Sequence, residues 1–194
     1  MLNKNMTHSE IESVLSNLGD FVQIDHLLRF LRDPEITSEM KKFIYLKLAR
    51  IYEKKGMFFD AAKSYSNAAI YSLKDAEKGS FCVKECESLI SGGFFEHVDK
   101  TVQKGYANMT SEERAWIYNK IKELYRKQAE NYESQLKRSN AVRVYEKMLE
   151  LRLSDFEKKE IKERLMGLYE KLGKKKEYMI SGQNGQRRKT PWIK

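Results

Sequence analysis

The stretch YLKLARIYEKKGMFFDAAKSYSNAA, Tyr45 to Ala69, leaves few folds open to the chain. Large apolar side chains fall at Tyr45, Leu48, Tyr52 and Tyr65, and small residues at Ala49, Gly56, Ala61 and Ala68. This spacing predicts two helices with a break at Gly56. Ala49 and Ala61 let the helices approach closely, the tyrosines fill the groove between them, and Gly56 takes the left-handed conformation that ends the first helix. A helix pair of this kind cannot bury its apolar face alone and needs similar neighbours.

The same frame recurs along the chain. Leu15, Gly19, Ile24, Leu28 and Leu31 occupy it one unit earlier, and Cys82, Cys86, Leu89, Gly93, Val98, Val102 and Gly105 one unit later. Tyr125, Ala129, Tyr132, Ala141, Tyr145 and Met148 form the next, and Leu165, Met166, Tyr169 and Gly173 half of a last. Residues 19, 56, 93, 136 and 173 mark steps of 37, 37, 43 and 37. The pattern resembles the tetratricopeptide repeat (TPR), a helix pair of about 34 residues. Leu73 stands about where that family has a proline. The 37-residue step, longer than a minimal TPR, is similar to the hairpins of soluble NSF attachment proteins, and the second unit and the stretch EKMLELRLSDFEKKEIKERLMGLYEKLGKKKEYM to small stand-alone archaeal TPR proteins. The resemblance implies an all-α, right-handed α-solenoid of about five TPR-like hairpins over 1–180, followed by a tail at 181–194.

Local signals agree with this frame. THSE, TSEE and SDFE read as capping boxes opening helices at Thr7, Thr110 and Ser154. Only Pro34 and Pro191 occur in the chain, and RDPE places Pro34 at a helix boundary. About ten helices and no β-sheet are expected, the fifth hairpin being cut short after KKKEYMI.

The pattern carries no catalytic constellation. His8, His26 and His97 are scattered over different units, and SGGFF lacks the Lys and Ser/Thr of a phosphate-binding loop. Cys82 and Cys86 fall at core positions, where cysteine acts as a small hydrophobe, so no metal or cofactor is expected. No apolar run approaches the roughly 18–20 residues that span a bilayer, and the N-terminus has no secretory signal core. A non-enzymatic, cytoplasmic protein without a membrane partner is the expectation.

Charge points to a partner. Of the formal net charge of +9, residues 171–194 carry +7, eight cations against Glu177 alone; 9 − 7 leaves +2 for the first 170 residues. Such asymmetry suggests an anionic partner. Arg187, Arg188, Lys189 and Lys194 suit phosphates, Trp192 suits stacking on a base, and Lys174, Lys175 and Lys176 extend the cationic surface. RNA, on a ribosome or another ribonucleoprotein, is the leading candidate.

The TPR resemblance implies a second site, the concave face formed by the first helix of each pair. The frame places Ser9, Ser13 and Ser16 there, then Phe43, Leu46, Arg50 and Lys54, then Glu123, Arg126, Glu130 and Glu133, and finally Glu160, Glu163 and Glu170. No carboxylate clamp of the co-chaperone type is visible. The glutamates either attract a basic peptide or form a solvated face paired with lysines such as Lys127 and Lys137. An adaptor holding a peptide or helix there is the alternative function. One form of it is a homodimer in which the tail of one chain enters the acidic groove of another.

Overall fold

The structure is a computed structural model, which describes residues 2–106 and 109–174. Nine α-helices and no strand occur among them. They are α1 (His8–Ser16), α2 (Asp20–Phe30), α3 (Ser38–Lys54), α4 (Phe58–Ile70), α5 (Asp75–Ser91), α6 (Phe95–Tyr106), α7 (Ser111–Ser134), α8 (Arg138–Met148) and α9 (Asp155–Lys171). By its internal contacts the chain divides into two compact units. Of the described residues, one holds 2–94, 104–106 and 109, the other 95–103 and 110–174. Within the first, α3 packs on α2 and α4, and α4 on α5; within the second, α8 packs on α7 and α9.

The helix ends explain the sequence period. Gly56, Gly93, Leu136 and Gly173 all have positive φ, at 70°, 77°, 57° and 70°. Each sits in the same pair of bonds, in which its own N–H donates to the carbonyl three residues back and the next N–H to the carbonyl five residues before itself. Gly56 donates to Glu53 and Met57 to Tyr52, Gly93 to Ile90 and Phe94 to Leu89. Leu136 donates to Glu133 and Lys137 to Tyr132, and Gly173 to Glu170 and Lys174 to Tyr169. This is the Schellman motif, which satisfies the last carbonyls of a helix and turns the chain. Gly19, by contrast, is the N-cap of α2 at φ −64°, so it opens a helix instead of closing one.

The broken step of 43 has a simple cause. From N-cap to left-handed residue the distance is 19 in α3 (Thr37 to Gly56), α5 (Lys74 to Gly93) and α9 (Ser154 to Gly173), but 26 in α7 (Thr110 to Leu136). Seven added residues are about two helical turns, so α7 lengthens without rotating its buried face. Its buried stripe, Ile117, Ile121, Tyr125 and Ala129, runs unbroken.

In the first unit, Ile11 and Leu15 of α1, Leu27 and Phe30 of α2, Ile36, and Met40, Ile44, Leu48 and Ile51 of α3 form one apolar cluster. In the second, the α7 stripe is matched by Val144, Tyr145 and Met148 of α8 and by Ile161, Leu165 and Leu168 of α9. Ala49, Ala61, Ala68, Ala129 and Ala141 are all fully buried, as close helix approach demands. Thr7, Thr110 and Ser154 each form a complete capping box. The two glycines of SGGFF do different jobs. Gly93 supplies the left-handed turn, whereas a Cβ at Gly92 would lie 2.6 Å from the Phe94 ring and 2.9 Å from Phe58 Cβ. Within the first unit Phe59 and Phe94 also meet, with ring centroids 5.2 Å apart.

Leu136 is the one non-glycine in a left-handed conformation among the described residues, and its side chain is 73% exposed. The strain is not repaid by burial. Leu136→Gly is expected to stabilise the protein by about 1 kcal/mol, read as a raised denaturation midpoint with an unchanged slope.

Candidate binding surface

Residues 80 apart in the two units play the same parts. Lys42 and Lys122 stand at one equivalent position, Glu53 and Glu133 at a second, Tyr65 and Tyr145 at a third, Glu77 and Glu157 at a fourth. In the first unit Lys42 of α3 reaches Glu77 of α5 at 3.3 Å; in the second Lys122 of α7 reaches Glu157 of α9 at 2.9 Å. Tyr65 donates to Glu53 at 3.0 Å, and Tyr145 to Glu133 at 2.5 Å. Burial, with the facing glutamate, pushes both tyrosine hydroxyls well above their ordinary range, so each remains a donor.

These bridges tie alternate helices of the chain together. Lys47 of α3 meets Glu12 of α1 at 3.0 Å, and Ser88 of α5 donates to Glu53 of α3 at 3.0 Å. Lys54 and Lys55 both hold Asp20 at the start of α2. The Asp20 carboxyl is therefore lowered, first by Lys54 and then by Lys55.

The expected concave residues fall in three settings. In the first unit Phe43 is half-buried, its ring stacked on His8 at 4.0 Å. Leu46 is half-buried too; Arg50 is exposed, and Lys54 is exposed but paired with Asp20. In the second unit Arg126 of α7 meets Glu160 of α9 at 3.4 Å. Arg164 of α9 reaches back to Glu133 at 3.4 Å, Glu160 at 3.6 Å and Glu130 at 3.8 Å. It also donates to the Tyr145 hydroxyl at 3.1 Å. Glu123 is paired with Lys120 one turn away. Glu163 stands apart from this group, lining a shallow groove of about 410 Å³ on α9 with Asp155, Lys158, Lys159, Lys162 and Met166.

On the acidic face Glu130 and Glu133 thus pair with Arg164, Glu160 with Arg126 and Arg164, and Glu123 with Lys120. Arg164 is the residue the sequence reading missed. Its signal was its position, 34 residues after Glu130, as Glu160 is 34 after Arg126. The face offers a salt-bridged, polar surface. The cationic set divides at the end of the described chain. Lys174 is exposed, its N–H closing the α9 cap. Lys175, Lys176, Arg187, Arg188, Lys189, Trp192 and Lys194 lie outside the described residues. Cys82 and Cys86 are buried cysteines outside any disulfide, and no helix among the described residues is long and apolar enough to cross a membrane.

Comparison with protein-family models, with curated proteins and with solved structures finds no match in any of the three.

Proposed function

We propose that this chain is a non-enzymatic scaffold whose basic C-terminal segment anchors it to RNA, on a ribosome or another ribonucleoprotein particle. In this reading each unit is a short right-handed stack of TPR-like hairpins. The repeated Schellman ends and the bridges between first helices 35 residues apart support that stack.

The observation that carries the functional reading is the partition of charge. The first 170 residues hold only +2 of the net +9, and many of their cations are engaged in ion pairs within the fold, as at Lys47, Lys122, Arg126 and Arg164. Residues 171–194 hold +7 with a single acid. A neutral, internally paired body joined to a cationic segment bearing one tryptophan suits a polyanion that offers both phosphates and bases.

The test is co-sedimentation with ribosomal particles, full chain against a chain ending at Lys174, across a salt series. If about four cations neutralise phosphates, log affinity falls with log salt at a slope of roughly −3 to −4. Truncation abolishes that dependence. Equal binding by both forms rules the segment out as anchor. In the adaptor reading a basic peptide lies along α7 and α9, against Glu123, Glu130, Glu133 and Glu160. Partners that survive nuclease treatment favour it. Arg126 and Arg164 already compensate much of the acidity it draws on.

A further inference from the structure

Helix α9 carries exposed residues at positions whose equivalents in α5 of the first unit are buried. In α5 the stripe Cys82 and Cys86 is buried, and Gly105 comes so close that a Cβ there would lie 2.8 Å from Cys82 Sγ. The residues 80 further on are Lys162 and Met166 of α9, and both are exposed. Beside them Phe156 is 77% exposed. Phe156, Lys159, Glu163 and Met166 follow one another at three- and four-residue spacing, so they share one stripe opposite the buried Ile161, Leu165 and Leu168. Lys159 and Glu163 make no ion pair among the described residues.

We propose that this face of α9 binds a second copy of the chain, with the two α9 helices antiparallel about a two-fold axis. The sequence of the stripe is self-complementary in one register. With residue 161 at the crossing, Phe156 meets Met166 of the second copy, and Lys159 meets Glu163 of the second copy. Symmetry repeats both contacts, so one arrangement yields two apolar and two ionic pairs. Crossing at residue 163 instead sets Glu163 against itself. The groove lined by Asp155, Lys158, Lys159, Lys162, Glu163 and Met166 lies between two ridges of four-residue spacing, 155–159–163 and 158–162–166. A ridge of the opposing helix enters such a groove. This contact is argued apart from the RNA reading and uses none of the glutamates of α7.

The experiment is sedimentation velocity and equilibrium on the nuclease-treated full chain. One helix face per copy makes a small interface, so a reversible dimer is expected in a range of about 1 µM to 1 mM. Lys159→Glu alone and Glu163→Lys alone each set two like charges face to face, and each is expected to weaken dimerisation about tenfold or more. The double variant Lys159→Glu/Glu163→Lys restores it to within about threefold. Both residues are on the surface, and far-ultraviolet circular dichroism checks that the fold is kept. A monomer at every concentration overturns the proposal. So does a dimer indifferent to the single reversals, or one that the double variant fails to restore.

Discussion

Tyr145→Ala is expected to destabilise the second unit by about 3–5 kcal/mol. Tyr145 is 2% exposed at the centre of α8, where α7 and α9 both pack. Removing the ring opens a cavity that backbone-anchored neighbours cannot refill. Its hydroxyl also ties Glu133 of α7 to Arg164 of α9, so the alanine form loses the link between three helices together with the packing. Tyr145→Phe separates the two effects. The ring remains and the hydrogen bonds go, but Glu133 keeps Arg164 as a partner. The expected loss is then about 1–2 kcal/mol. Urea denaturation followed by circular dichroism measures both. Tyr65→Ala is the matched experiment in the first unit, where Glu53 keeps Ser88. Similar losses for Tyr145→Ala and Tyr145→Phe would show that packing around the ring contributes little.

The helical ends and crossings were legible in the sequence because they depend on one residue each. A left-handed turn selects glycine, a close crossing selects alanine, and a cap selects Thr or Ser with Glu three residues on. Leu136 shows how far the frame reaches, since spacing alone placed a leucine where glycine belongs, and its φ of 57° agrees. Gly19 shows the converse. Glycine also serves as an N-cap, and nothing in its neighbours distinguishes the two uses. Leu28 was set in the core frame of that same unit but is 42% exposed, because a unit opened by the nine-residue α1 does not follow the register of the longer hairpins. The 43-residue step was visible as a number. Its meaning, two extra turns at the start of α7, needed the N-cap and the left-handed residue to be located together.

The binding face was less legible. Glu160 and Glu163 both lie on α9 and both belong to its acidic surface by sequence. Three residues turn a helix by about 300°, leaving the two side chains some 60° apart. That angle puts Glu160 against Arg126 of α7 and Glu163 into the outer groove. Which of two adjacent stripes meets a neighbour depends on how the helices cross, and periodicity carries no information on crossing. The pairing of the glutamates was also read as local, with lysines such as Lys127 and Lys137. Glu123 does pair locally, with Lys120, while Glu130, Glu133 and Glu160 pair between α7 and α9 with arginines 31 and 34 residues away in the chain.

Glu157 makes the electrostatic side of this design measurable. Its carboxylate accepts from Lys122 of α7 and from the Ser154 backbone N–H at the α9 cap, and these hold its pKa down to about 2. A carboxyl whose folded pKa lies below its unfolded value, about 4.3 for Glu, contributes stability that is complete above the unfolded value. The contribution is lost as pH falls through the folded value. For Glu157 the window of loss therefore runs from about pH 4.5 down to about pH 2. Its side chain is 24% exposed, so solvent screening takes part of the full linkage energy, and Glu157→Gln is expected to cost about 2 kcal/mol at pH 7. Denaturation midpoints of the parent and of Glu157→Gln should differ by a constant amount from pH 7 to pH 5 and converge as pH approaches 2. A difference that persists undiminished at pH 2 would mean that Glu157 acts through packing or cap geometry, not through its charge. Glu77, whose carboxyl is lowered by Ser72 and Lys42, occupies the equivalent place between α3 and α5. No backbone N–H is among the groups that lower Glu77, whereas the Ser154 N–H at the α9 cap is among those that lower Glu157. The acid sensitivity traced to Glu157 should therefore be the larger of the two, and the second unit should be the first to loosen as pH falls.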